Sequence, residues 1–542
     1  MSPRPRFTST IDEVRNAVLG VLLRPLRWFS PATQFAIGFV SLTLLTTFVL
    51  TWWPYNSRTI VVLAIVGAVY FFLWQFVKYR AASVDLLISA ERAFALVGSA
   101  VLFQTTVVRF GFLVTNAIAS QGTRSPFDDG AVWTFAIPFA AAALLVRMLL
   151  DRQLSVLAGI ITAVMAGFAA PRGMAAGVYA LISCGAAAYG IKRYRERQTV
   201  TVGGLIVAAA NIVTAAVITA VAQPRFRLFD ILVAGLFGFG GGLLTIVFAA
   251  GGVPINESLF GVLTDIRLLE LTNADLPVLS QLAVRAPGTN QHSHAVGQLA
   301  EEACRAIGAN GILGRVGALY HDIGKVAAPD HFVENQTGDN PHDRLRPLQS
   351  AKIITSHVTF GLRLAKEVGL PKRVADFIPQ HHGTRTLHFF LRKAEAEGNG
   401  KPINERDFRY PGPKPQFKEA AILMLADSAE AAARSLAQPT AENIRGIISR
   451  IFDAVVADGQ LDESKLTVHE LSRLRDSIVN SLIAIHHPRI DYPGYNVPLG
   501  SSEEPAAHHV TYAEVADVPI NPSGEVEEEA VSRTDVAGDR RS

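Results

Sequence analysis

Seven side chains able to bind a metal are strung along the second half of the sequence: His292, the pair His321-Asp322, His357, the pair His381-His382, and Asp427. All offer imidazole nitrogen or carboxylate oxygen, and no cysteine is among them. That is more than one tetrahedral ion requires, and it suits two neighbouring divalent cations. Two cations a few ångströms apart are a device for attacking phosphate esters. Any one of these histidines alone reads as a hydrogen-bonded core residue; two adjacent pairs plus three single ligands on the helices of one domain read as coordinated metal.

The elements that must position them are helices. Apolar residues recur at three and four positions through 263–287, 293–307, 312–324, 350–367, 371–381, 384–397, 417–435, 440–458 and 466–486, and strong strand alternation is absent. His292 then falls at the start of one helix, His321-Asp322 near the end of the next, His357 inside another, and His381-His382 at a helix end. Asp427 sits within an apolar helix (ILMLADSAEAA), where a carboxylate needs a partner or a metal to offset its burial. The Pro/Gly breaks at 286–288 and 410–413 read as loops between helices.

The first half is different. Over all 542 residues the hydrophobic fraction is 49% and the charged fraction only 18%, with mean hydropathy +0.27, too apolar for a soluble protein of this length. Apolar runs lie near 33–53, 58–77, 93–118, 131–150, 154–170, 174–190, 202–222 and 229–250, each close to the roughly 20 residues that cross a bilayer. The fifth and sixth are short and rich in Ala and Gly, so seven or eight spans fit. Charge decides for about eight, with both ends inside. Arg4, Arg6, Arg15, Arg24 and Arg27 precede the first run and Lys78, Arg80, Arg92, Arg147, Arg152, Lys192, Arg193, Arg195 and Arg197 fall on the same side, against Arg58, Arg124, Arg172, Arg225 and Arg227 opposite. The closely spaced glycines from Gly235 to Gly242 read either as a close helix–helix approach or as a kinked end. Arg109 and Arg147, at span edges, read as snorkelling or as functional charges.

The fold class expected is all-α: a polytopic transmembrane helix bundle followed by a cytoplasmic all-α domain. Residues 1–30 form an interfacial amphipathic segment, with no cleavable signal peptide, 31–252 the bundle, 253–494 the soluble domain, and 495–542 a disordered acidic tail. The longest external loop, around 119–130, leaves no room for an external domain. Net charge is +3, so the overall balance says little about nucleic acid; the expected partner is the lipid bilayer and not a nucleic-acid polymer. The two cysteines, Cys184 and Cys304, lie far apart in apolar or helical stretches and make no disulfide scaffold.

The stretch HDIGK (321–325) and its companions APGTNQHS (286–293), ENQ with NPHD (334–343), SHV (356–358), QHHGT (380–384), FRYPGPKPQ (408–416), LADSAEAA (425–432) and DGQLDE (458–463) resemble the HD phosphohydrolase superfamily. More narrowly, the chain resembles the membrane 7TM receptors with an intracellular HD hydrolase domain, of the cyclic di-AMP phosphodiesterase type. The resemblance implies a metal-dependent phosphodiesterase that opens a cyclic dinucleotide, most simply cyclic di-AMP to linear pApA, through a dinuclear site and a bridging hydroxide. It implies Asp322 as the bridge, with His292, His321 and Asp427 on one ion and His357, His381 and His382 on the other. It implies iron or manganese; the ligand set alone does not choose among these and zinc. Two departures stand out: the large external domain of well-known members has no counterpart between the spans, and the Tyr usual after APGT is Asn290 here. His294 reads as a second group beside the ligand or as a polar helix residue.

Around this core, Lys325 lies one helical turn past His321 and reads either as a catalytic phosphate contact beside His321 and Asp322 or as a surface lysine. Arg409, Lys414 and Lys418 flank a Pro-Gly loop and read as guides for an anionic substrate or as solvated charge. His342 and Asp343 read as groups supporting ligands or substrate. Other readings are an HD hydrolase of another nucleotide, or a nucleotide-binding membrane receptor without catalysis. The cyclic di-GMP group carries Gly-Tyr-Pro after its His pair, where this chain has RTLHFF. Monomer and homodimer are equally compatible with the sequence.

Overall fold

The computed structural model describes residues 29–52, 57–84, 86–170, 173–191, 194, 196–222, 227–398 and 403–486; the expected amphipathic segment before 29 and the expected acidic tail lie outside them. Among the described residues the only β feature is an isolated bridge between Thr386 and Arg409, and the rest of the regular structure is helical, as expected.

The first half comprises α1 (Pro31–Thr51), α2 (Ser57–Ser83), α3 (Ala90–Ala119), the short α4 (Gly130–Thr134) and α5 (Ala141–Leu149), α6 (Arg152–Ala169), α7 (Gly173–Gly190), α8 (Gln198–Ala222) and α9 (Leu228–Phe260). All but α4 and α5, seven helices among the described residues, are long and apolar enough to cross a bilayer. The run expected as one continuous span at 131–150 is corrected here: it is broken around Pro138, which has no N–H to give to a helix. The backbone groups freed by the break are taken up by neighbours. Tyr179 Oη donates to Phe135 O and Gln104 Nε2 to Pro138 O, each at 2.9 Å, and Gln104 Oε1 accepts from Ala142 N at 2.9 Å. Irregular backbone inside an apolar bundle persists only when satisfied in this way.

The two arginines have plain partners. Arg109 donates to Ala169 O and Arg147 to Ile191 O, both carbonyls just beyond or at helix ends. The glycine run is a close approach. A Cβ on Gly242 would fall 2.4 Å from Ala208 Cα, and one on Gly238 2.7 Å from Asn211 O, so α8 and α9 pack backbone to backbone. Helix α9 continues through Pro254 to Phe260 and ends at Gly261, whose φ of 66° is left-handed.

The second half comprises α10 (Asp265–Glu270), α11 (Pro277–Arg285), α12 (Pro287–Ile307), α13 (Gly311–Tyr320), α14 (Pro347–Val368), the single turns α15 (Lys372–Ala375) and α16 (Phe377–Gln380), α17 (His388–Glu397), α18 (Lys418–Arg434), α19 (Ala441–Ala457) and α20 (Val468–Ile485). The helix expected over 263–287 is two, because Pro277 begins a new one after a turn in which Asn273 Oδ1 accepts from Asp275 N at 3.0 Å. Pro287 likewise opens α12 at its first turn instead of marking a loop, so His292 lies inside that helix and not at its start. One apolar core unites these helices, with α18 at its centre: Ala420 to Ala426 are all fully buried.

Bundle and soluble domain meet across a cavity of about 640 Å³. The bundle lines it with Arg147 to Asp151 at the end of α5 and with Val84, Leu86 and Leu87 after α2; the soluble domain lines it with Asn310, Arg373 and Phe417 to Glu419. Leu86 belongs to the bundle core while Leu87 packs on the soluble core.

Candidate metal centre

Close packing of two helix ends starts the site. His321 caps α13, and the chain turns at once into a tight 3-10 helix, Ile323–Ala327. This turn lies on α14 so closely that a Cβ on Gly324 would fall 1.9 Å from His357 O; only glycine fits. Asp322 and His357 are thereby brought face to face. After α16 the chain passes through His381 and His382 to Gly383, which at φ 53° turns it away against Gln460. Helix α18 brings Asp427 from the opposite side.

All seven expected ligands converge. Asp322 Oδ2 is 3.2 Å from His321 Nε2, while Asp322 Oδ1 is 3.4 Å from His357 Nε2 and 3.5 Å from His381 Nε2. His292 Nε2 is 2.9 Å from Asp427 Oδ1, and His382 Nδ1 is 4.0 Å from Asp427 Oδ2. Three overlapping groups have all their ligand atoms within 4.8 Å of one another: Asp322, His357, His381 and His382; His292, His321 and Asp322; and His321, His381 and Asp427. Asp322 is shared by the first two. The third joins His381 to the residues that the family resemblance assigns to the other ion.

The residues fit divalent cations. His321, His357 and His381 each present Nδ1 to a carbonyl three residues earlier (Ala318, Ile354 and Ile378, at 2.6, 2.6 and 2.8 Å), which fixes the tautomer and aims Nε2 at the centre. Their Nε2 atoms and Asp322 Oδ1 are buried with no hydrogen-bond partner. Four convergent orphaned acceptors would be costly in a plain core; they are what a cation requires. Burial pushes His357 down to about 4 and His382 well below the ordinary imidazole range, so both rings are neutral with a lone pair available. Burial would raise Asp322 and Asp427, but the surrounding imidazoles outweigh it and Lys325 adds to the effect at Asp322, so both carboxyls stay well below the usual range. Burial also disfavours charge on His292, yet Asp427 and Glu430 raise it to about 10. A cation held by His292 and Asp427 would displace the proton these groups share.

Three supporting residues escaped the sequence reading. Glu430 Oε2 takes His292 Nδ1 at 2.6 Å, and Arg434 pairs with its other oxygen. Glu430 is one turn beyond Asp427 in the same apolar helix, so the burial argument applied to Asp427 would have found it. Glu334 lies 2.7 Å from Lys325 Nζ and accepts from Thr289 Oγ1 at 2.9 Å. Tyr410 stacks on the His382 ring with centroids 4.2 Å apart.

The expected substrate contacts are placed otherwise. Lys325 is no surface lysine: it is buried, with Nζ 2.7 Å from both Asp322 Oδ2 and Glu334 Oε1. His342 gives Nε2 to His331 O at 2.9 Å and lies against Phe390. Arg409 pairs with Glu405 at 2.7 Å, and Lys414 bonds Gly459 O at 2.8 Å and faces Asp462. Lys418 pairs with Glu470, Asp343 and His294 are exposed on the surface, and none of these makes a recorded contact with the seven ligands.

Residues 52–264 match the family model described as 7TM receptor with intracellular HD hydrolase, and residues 289–432 match the HD domain model. The chain is 39% identical over 366 residues to the cyclic-di-AMP phosphodiesterase PgpH of Bacillus subtilis, covering 66% of this chain and 51% of that one. It is 38% identical over 362 residues to the PgpH of Listeria monocytogenes, covering 66% and 50%. The crystal structure of the L. monocytogenes PgpH HD domain in complex with cyclic-di-AMP aligns at 46% identity and TM-score 0.38, covering 40% of this chain and 100% of that one. The chain thus spans about half the length of the curated relatives it matches.

Proposed function

Since the chain belongs to the 7TM receptor with intracellular HD hydrolase family over residues 52–264 and to the HD-domain family over residues 289–432, we propose that it is a membrane phosphodiesterase that hydrolyses one phosphodiester of cyclic di-AMP to give linear pApA. One observation carries the reading: the seven ligands converge, with the Nε2 atoms of three oriented imidazoles and one oxygen of a shared carboxylate left without hydrogen-bond partners. Two divalent cations, iron or manganese, supply when bound a nucleophile from water at neutral pH and neutralise phosphoryl charge. The chain's own residues hold and orient. Asp322 offers one oxygen to the His321 side and the other to the His357–His381 side. Backbone carbonyls and Glu430 fix the ring tautomers. Lys325, tied to Asp322 and Glu334, keeps the shared carboxylate ionised and in place.

In this reading the interrupted α4–α5 segment makes an eighth passage. Gly130 lies beside Asn116 at the end of α3, and Asp151, just past α5, pairs with Arg80 at the end of α2. The positive residues then place the HD domain on the cytoplasmic side of the cell membrane.

The test is turnover. The full-length chain in nanodiscs with Mn²⁺ or Fe²⁺ is expected to convert cyclic di-AMP to pApA, and the double variant His321→Ala/Asp322→Ala to lose that conversion. A wild-type chain that leaves cyclic di-AMP intact, or a double variant of undiminished activity, ends the proposal.

A further inference from the structure

Three cations stand within the motifs that build the metal centre, and all three face carboxylates. Lys325 lies between Asp322 and Glu334, Arg409 pairs with Glu405, and Lys414 faces Asp462. Arg385, directly after QHHGT, does not. It follows His382 by three residues, and among the described residues its guanidinium has no carboxylate partner; its recorded side-chain contact is a neutral one, Nη1 donating to Ser428 Oγ at 2.7 Å. Ser428 gives its own proton to Met424 O at 2.9 Å, so its oxygen is committed as an acceptor for the arginine.

The position is built. Ser428 is the residue after the ligand Asp427 on α18, and Arg385 leaves the turn that carries the ligands His381 and His382. The Arg385 backbone is pinned on both sides, its N–H donating to His382 O at 3.1 Å and its carbonyl accepting from Tyr410 N at 3.0 Å. Tyr410 in turn covers His382. The side chain is half-buried. A guanidinium has five N–H donors in a planar fork that matches phosphate oxygens, and the serine occupies one side of it.

We propose that Arg385 is a substrate-binding residue that donates to a non-bridging oxygen of the phosphodiester at the metal centre, and that Ser428 positions it. The proposal rests on the phosphodiesterase reading above. It also explains why the lysines and the arginine expected from sequence to guide substrate are paired elsewhere: the site already carries one cation held free of carboxylates.

The experiment uses the full-length chain in nanodiscs, loaded with manganese, with steady-state turnover and equilibrium binding of cyclic di-AMP measured beside bound-metal content and melting temperature. Arg385→Ala is expected to raise KM and weaken binding by about ten- to hundred-fold, the range of a charge-assisted hydrogen bond, with metal content and melting unchanged. Arg385→Lys recovers part of this, lacking the fork. Ser428→Ala loses about two- to five-fold, since it loosens the arginine without removing it. Unchanged KM and binding in Arg385→Ala overturn the proposal, and so does loss of metal or of folding in both Arg385 variants, which makes the residue structural. A wild-type chain that binds cyclic di-AMP without cleaving it overturns the phosphodiesterase reading instead, and the Arg385 contact is then judged on the binding ratio alone.

Discussion

At the scale of single residues, the metal centre is made as much by the groups behind the ligands as by the ligands. Three imidazoles are held by carbonyls of their own helices, but His292 is held by a side chain, Glu430. Glu430→Ala is therefore expected to lower metal affinity by about 10- to 100-fold, the usual effect of removing a partner behind a ligating histidine, as measured by competition with a chromophoric chelator. Retention of wild-type affinity would show that His292 needs no such support. The seven ligands were legible because His and Asp in apolar helices have few bland explanations and occurred in adjacent pairs. Their partners were less so: the burial argument for Asp427 reaches Glu430 in the same helix, but Glu334, in a short 3-10 turn, reads as ordinary surface until another segment is laid against it. Lys325 shows the same limit: one turn past His321 placed it on the correct face, but which anion it meets depends on the separate segment that carries Glu334.

At the scale of elements, the centre depends on two backbones touching. The turn after His321 lies against α14 where no side chain fits, and Gly324→Ala forces a Cβ to within 1.9 Å of His357 O. The expected result is a loss of about 3 kcal/mol or more of stability, overpacking against backbone being the severe case, seen as a lower melting temperature together with reduced bound metal. Melting and metal content like those of wild type would mean that the turn can lift off α14 freely. Helix existence was readable from period throughout the soluble half; helix starts were less so. Pro277 was read through as the middle of one helix and Pro287 as a loop, and both begin helices, because proline is at home in the first turn. The break at Pro138 was missed for the converse reason. Its neighbours are uniformly apolar, and the groups that satisfy it, Gln104, Tyr179 and Cys184, come from distant helices.

At the scale of the whole molecule, seven long helices and one interrupted segment among the described residues precede the HD domain, and the side of the membrane proposed for that domain rests on charge. Both native cysteines are buried, so introduced ones report cleanly. Ser125→Cys, in the loop between α3 and α4, is expected to react with a membrane-impermeant maleimide added to intact cells, whereas Ser435→Cys, after α18, reacts only after the membrane is opened. Labelling of Ser435→Cys in intact cells would invert the topology.

One helix joins these scales. The first turn of α18 lines the cavity shared with the bundle, and Asp427, Ser428 and Glu430 follow further along the same rod. From Lys418 to Asp427 is about 13 Å of continuous helix. A continuous helix couples its two ends, so any axial displacement of its first turn would carry the ligand, the arginine's anchor and the histidine's support with it.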